Sequence, residues 1–175
     1  MKSFLLLTFM ITAFAGFCQQ TCLVTKVIDG DTYKILRNGK LETLRLMNVD
    51  APETGQYFGS NARDSVAALM QGHLVEVSLY EFDLYGRRLA SIKVNGVNLD
   101  SLMIAKGWAF YYYKFSRNKR LAIYEADAKL HFAGIWKCMN NVPPWIWRRL
   151  NKTNKRLYAT CQPMPYPSQL VQNKK

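Results

Sequence analysis

CLVTKVIDGDTYKILRNGKLETLRLM, residues 22–47, is the stretch whose reading decides the fold. It divides into three short runs, CLVTKVI, DTYKILR and LETLRLM, rich in β-branched residues and partly alternating, as half-buried strands require. Asp29-Gly30 and Asn38-Gly39 punctuate them as turns. In the third run Leu44 and Leu46 point to one face and Arg45 to the other, because successive strand side chains alternate.

Outward from this core the pattern continues. After the DAPETG loop, Ala62, Val66, Leu69 and Met70 recur at helical spacing, and Gly72 supplies a stop signal. HLVEVSL (73–79) and RRLASIKV (87–94) read as two further strands, joined through the tight DLYG segment at 83–86. A second helix is expected over Asn98–Lys106, with Leu99, Leu102 and Met103 on one face. A third is expected from near Arg117, with Leu121, Tyr124 and Ala128 aligned and Gly134 as its end. Five short strands with glycine-rich turns and three helices make an α+β domain and favour a closed barrel over an open sheet.

Three segments are expected. Residues 1–18 carry Lys2 and then an uncharged apolar run, Phe4–Phe17, too short to span a bilayer comfortably and suited to a secretory signal. Cleavage could follow Ala15 or Cys18. Residues 19–139 form the folded domain. From 140 to 175 the composition shifts: five of six prolines fall there and no acid follows Asp127, which reads as a basic, aromatic extension. Export would leave Cys22, Cys138 and Cys161; a Cys138–Cys161 disulfide is plausible in an oxidising compartment, although pairing is not fixed by sequence. The secreted, periplasmic or extracellular product is expected to be a monomer with no stable membrane partner.

The chain has 24 Lys and Arg against 12 Asp and Glu, an excess that suits a polyanionic partner such as nucleic acid, an acidic membrane or a cell wall. Yet four of those acids, Asp29, Asp31, Asp50 and Glu53, crowd into VIDGDT and DAPE. If the first three strands are neighbours, both stretches reach one rim of a barrel. Oxygen ligands without sulfur or imidazole suit Ca²⁺ or Mg²⁺ rather than zinc. Gly30 is expected to allow a sharp turn, and Pro52 to hold Ala51 extended with its carbonyl available. Taken alone, either acidic stretch could be a polar turn. Arg45 and Arg87 add planar guanidinium forks that match phosphate oxygens, so the set reads as a phosphodiesterase site.

VIDGDT, LRLMNVDAPE, DLYGRRLA, GWAFYYYK and GIW occur in that order, and together they resemble the staphylococcal nuclease family over roughly residues 22–137. The resemblance implies a five-stranded Greek-key barrel of the OB type and a Ca²⁺-dependent endonuclease acting on DNA and RNA, leaving 3′-phosphate and 5′-hydroxyl ends. It implies direct metal ligation by Asp31, Asp50 and the Ala51 carbonyl, with Asp29 acting through water. Glu53 takes the place of the general base, Arg45 and Arg87 those of the phosphate-binding arginines, and Tyr85, Tyr111 and Tyr113 those of residues beside the nucleotide. Ala51 departs from a familiar threonine, and the loops after DAPE and before DLYGR are shorter.

Two other readings have residues in their favour. A silent OB-fold binder could use YYYKFSRNKR, 111–120, as a single-strand platform. A cationic envelope-binding protein could use PPWIWRRLNKTNKR, 143–156. The blander expectation for that extension is that Trp145 and Trp147 pack it on the barrel while its Lys and Arg stay solvated.

Overall fold

The computed structural model describes residues 20–116 and 118–163; the expected signal segment lies outside them. Strands β1 (Gln20–Val27), β2 (Thr32–Arg37) and β3 (Lys40–Leu46) form an antiparallel meander. After it come β4 (Val49–Asp50), helix α1 (Gly59–Met70), β5 (Leu74–Phe82), β6 (Arg88–Val94) and β7 (Val97–Asn98). Helix α2 (Leu99–Ala105), β8 (Phe110–Tyr111) and α3 (Leu121–Leu130) complete the domain. β1 also pairs antiparallel with β5, and β5 with β6. Parallel pairing of β3 with β6, Arg45 opposite Leu89, closes the sheet on itself. The result is a closed, mixed five-strand barrel of β1, β2, β3, β5 and β6 with helices against it, the α+β OB-type fold expected.

Alternation explains the core. Val24, Ile35, Leu44, Leu46, Val77 and Ile92 point inward, and Val66, Met103 and Ile104 from α1 and α2 pack with them. Cys22 is a free thiol within the same cluster. Val49 and Asp50 of β4 pair with Tyr111 and Phe110 of β8, setting the aromatic run beside the second acidic stretch. The two-residue strands β4, β7 and β8 are too short for periodicity to announce.

Helix α3 begins at Leu121 rather than near Arg117. Asn118 N–H donates to Ser116 Oγ at 3.1 Å and Arg120 N–H to Asn118 Oδ1 at 3.2 Å, local bonds that hold this segment in turns. The helix also ends at Leu130, before Gly134. Gly134 opens a 3₁₀ turn, Gly134–Lys137, and has φ +50; a Cβ there would lie 2.1 Å from the Gly107 carbonyl oxygen. Backbone-to-backbone approach, not helix termination, is what asks for glycine.

The described part of the extension, residues 140–163, is folded. Helices α4 (Pro144–Trp147) and α5 (Lys152–Leu157) bring the α-helices among the described residues to five, against three expected, and Cys138 and Cys161 form a disulfide with Cα atoms 5.3 Å apart. Closing a loop of this length is worth about 3 kcal/mol through the unfolded chain. Trp147 is buried, and Trp145 stacks on Tyr112 at 5.3 Å with 13° between the ring planes. The expectation that the tryptophans dock the segment therefore holds. Solvation of all its cations does not hold, because Arg148 turns into the acidic rim.

Candidate active site

β2 and β3 place Thr32 opposite Arg45, so the D-G-D turn preceding β2 lies beside the end of β3. Gly30 then sets the distance to DAPE: a Cβ on it would fall 2.6 Å from the Ala51 Cβ. The chain bends sharply at 29–31 as expected, but Gly30 is absent from the positive-φ glycines, so close approach rather than a left-handed backbone explains the residue. Ala51 N–H donates to Asp31 Oδ2 at 2.6 Å, binding one acidic stretch to the other. Asp29 Oδ1 accepts from Asp31 N–H at 3.0 Å and stands at the edge of the cluster.

Arg45 ties the two together electrostatically. Its Nη1 lies 3.1 Å from Asp31 Oδ2 and its Nη2 3.0 Å from Asp50 Oδ1. All three side chains are buried, so charge and desolvation oppose each other. Burial pushes the Asp31 carboxyl up to about 7; Arg45 pulls it down, while the charges of Asp29 and Asp50 add to the rise. Asp50 is also raised, burial outweighing Arg45 and Arg148. Burial works against the Arg45 charge, but Asp31 and Asp50 outweigh it and raise its pKa. Loss of water, more than lack of a counter-charge, is thus what holds both carboxyls up.

Arg87 approaches from β6's side of the rim. Asp83 orients it, with Oδ2 accepting from Nε at 2.8 Å and pairing with Nη2 at 2.7 Å, and Oδ1 accepting from the Arg87 N–H at 2.9 Å. These bonds hold Asp83 below the usual carboxylate range even though burial opposes the shift. The remaining Nη1 reaches Thr32 Oγ1 at 3.4 Å, and that hydroxyl donates to Asp31 Oδ1 at 3.2 Å. Tyr85 is exposed, its ring 5.4 Å below the Arg87 guanidinium. Asp83 and Thr32 were not singled out from sequence; an Asp four residues before Arg87 across a tight glycine turn is the local signal for the first.

Glu53 is partly exposed, at 38% of its side chain. The loop that carries it is fixed by Gln56, whose N–H donates to Glu53 O at 2.8 Å and whose Oε1 accepts from Glu53 N–H at 3.3 Å. Gly59 supports the same loop, since a Cβ there would lie 1.9 Å from Glu53 O. Buried Gln56 also donates through Nε2 to Val142 O in the extension. The Glu53 carboxylate accepts from Arg148 Nη1 at 2.7 Å.

Tyr111 is buried and Tyr113 exposed. Both border a cleft of about 260 Å³ with Phe110, Trp136 and Trp145 between the barrel and the extension. The structure therefore joins Asp29, Asp31, Arg45, Asp50, Ala51, Glu53 and Arg87 in one region with Tyr85 at its edge, and puts Tyr111 and Tyr113 in a neighbouring aromatic cleft.

Among the described residues, no group of three or more His, Cys, Asp or Glu side chains converges as a metal-holding set. Two buried aspartates with an adjacent backbone carbonyl remain an all-oxygen donor set of the kind hard divalent cations take. Burial has stripped both carboxylates of water, so a cation held there would restore the stabilisation they have lost.

The staphylococcal nuclease homologue family model matches residues 43–138. A micrococcal nuclease of Shigella flexneri is 36% identical over 140 residues, covering 74% of this chain and 80% of the relative. An uncharacterized endonuclease of Escherichia coli O157:H7 is 34% identical over 126 residues, covering 71% of this chain and 82% of the relative. A staphylococcal-like nuclease CAN1 of Arabidopsis thaliana is 33% identical over 113 residues, covering 65% of this chain and 34% of that longer protein.

Proposed function

Because this chain belongs to the staphylococcal nuclease family and is a nuclease, we propose that it is a Ca²⁺-dependent endonuclease cutting DNA and RNA to 3′-phosphate and 5′-hydroxyl ends. The observation that best supports this reading is the meeting of both acidic stretches at Arg45, whose guanidinium spans Asp31 at 3.1 Å and Asp50 at 3.0 Å. Asp31, Asp50 and the Ala51 carbonyl would hold the cation directly, and Asp29 through water. Bound there, Ca²⁺ supplies Lewis-acid stabilisation of charge on a phosphate oxygen.

Glu53 orients the attacking water and takes its proton as the water oxygen bonds to phosphorus. The bond from phosphorus to O5′ breaks; its electron pair leaves on O5′, which is protonated from solvent. Arg45 and Arg87 face the charge that grows on the phosphoryl oxygens, and the Asp83 clamp holds Arg87 ready for that task. Tyr85 flanks the nucleotide, and Tyr111 and Tyr113 border the cleft through which the strand continues.

The protein works outside the cytoplasm as a monomer, after removal of a signal within residues 1–18, with no membrane partner. The Cys138–Cys161 disulfide supports an oxidising compartment. No helix among the described residues is long and apolar enough to cross a membrane.

Plasmid DNA and RNA digested with Ca²⁺, with chelator, and with Glu53→Gln test the reading. Cleavage should vanish with chelator, and removing the base should slow it at least about a hundredfold. Chelator-resistant cleavage, or products with 5′-phosphates, would overturn it.

A further inference from the structure

Arg148 lies beyond the family-matched stretch, which ends at 138, yet it makes the shortest ion pair in the pocket. It caps α4 at its C-terminal end, and the fold fixes its backbone. The disulfide closes the segment on both sides of it. Trp147 beside it is buried, Tyr112 stacks on Trp145, and Tyr57 N–H donates to Tyr158 O at 3.2 Å. The side chain leaves this platform and bridges two acids. Nη2 sits 2.6 Å from Asp50 Oδ2, and Nη1 sits 2.7 Å from Glu53 Oε1 and 3.4 Å from Asp50 Oδ1.

These two carboxylates carry different duties in the proposed reaction, one as cation ligand and the other as base. Asp50 Oδ1 is already engaged by Arg45, so Oδ2 is the oxygen left for an ion, and Arg148 occupies it. A guanidinium and a divalent cation on the same carboxylate oxygen repel each other. Arg45 is buried and anchored by the Leu46 carbonyl at 2.9 Å, whereas 47% of the Arg148 side chain is exposed and can swing outward. Arg148 is the cation of the two that can yield.

We propose that Arg148 is a built-in counter-ion of the divalent-cation site. It holds Asp50 and Glu53 while no ion is bound and must leave Asp50 when one binds, so the extension sets the cation affinity of the pocket. This rests on the Ca²⁺ reading above. Its consequence is a nuclease whose site stays neutralised, with its base engaged, until the cation is plentiful enough to displace the arginine.

Calorimetric titration of the full folded chain with Ca²⁺, without nucleic acid, tests the exchange directly. Arg148→Ala and Arg148→Gln should both bind Ca²⁺ at least about tenfold more tightly than the parent, within the usual range of coupling between two mutually exclusive ligands. Arg148→Lys should fall between. Arg149→Ala removes the same formal charge from an exposed neighbour and should leave affinity within about twofold, as screened surface charges do. The Gln variant keeps a polar, similarly long side chain, so agreement between Gln and Ala separates charge removal from misfolding. Equal or weaker binding in both variants overturns the inference, as does an equal gain from Arg149→Ala. Absence of Ca²⁺ binding in every form, parent included, would instead bring down the cation reading beneath it.

Discussion

Asp50 is gripped by two arginines of different origin. Arg45 belongs to a barrel strand; its register is fixed by pairing with β2 and β6, it is buried, and its partners Asp31 and Asp50 lie close in sequence. Arg148 arrives from 98 positions away on a disulfide-closed extension and stays half exposed. The barrel side is a permanent part of the architecture, since removing Arg45 would strand two buried carboxylates. The extension side is an adjustable contact, because the Arg148 side chain is half exposed although Asp50 beneath it is buried. Buried charge pairs are costly to break and exposed ones cheap, so one pocket combines a fixed cation with a movable one.

The largest effect should come from the barrel side. Arg87 lies outside the strands, so Arg87→Ala should leave every strand pairing in place while removing the donor proposed to meet the phosphoryl group. Cleavage should fall about 10²–10³-fold, the typical loss for such a donor, with the fold preserved by circular dichroism. Measuring kcat and KM separately sharpens the comparison: a barrel arginine should lower kcat, whereas Arg148 variants should move the Ca²⁺ concentration needed for half-maximal rate. Near-parental turnover in Arg87→Ala would remove Arg87 from the reaction and break the contrast.

A middle-sized effect should follow from Gly30→Ala. Its Cβ would meet the Ala51 Cβ at 2.6 Å, and both belong to backbone segments that carry the acids. Overpacking of this kind costs about 1–3 kcal/mol. Thermal unfolding should register that loss, and activity should fall further than stability because D-G-D and DAPE are pushed apart. A variant with parental stability and rate would mean the two stretches are not locked as described.

Most of the barrel side could be read in the sequence because its determinants are local. Alternation in LETLRLM assigns Leu44 and Leu46 to the core and puts Arg45 on the opposite face, five residues before Asp50 and beside the last residue of the strand. Antiparallel neighbours then bring Asp31 within reach. The extension was legible only in outline. Cys138, Cys161 and two tryptophans suggest a docked segment, but nothing in PPWIWRR says which of two adjacent arginines faces the pocket. That is decided by the burial of Trp147 and by the bond from Gln56 to Val142 O, both long-range contacts with no periodic signature. Gly30 and Gly134 show a related limit: sequence marks a glycine, but only the atoms facing it, the Ala51 Cβ in one case and the Gly107 carbonyl in the other, distinguish turn, helix end and close approach.

An effect of opposite sign concerns stability with the cation removed. Asp31 has its pKa raised to about 7 by burial, with Asp29 and Asp50 adding to the rise against Arg45; an unfolded aspartate titrates near 3.9. Between those values the folded state binds more protons than the unfolded one, so folding stability declines as pH rises through that interval. Above about 7 the folded chain carries the buried charge and the decline stops. Asp31→Asn removes this penalty while keeping a polar group for the Ala51 N–H and the Thr32 hydroxyl. In chelator, the variant should therefore melt higher than the parent, with the gap small near pH 4 and widening up to pH 7 before levelling. Ca²⁺ should narrow the gap by stabilising only the parent, since the variant lacks the ligand charge. A gap that is independent of pH, or a variant that melts lower throughout, would mean that Arg45 already compensates Asp31 in full and that the pocket holds no reserve of negative charge for an incoming ion.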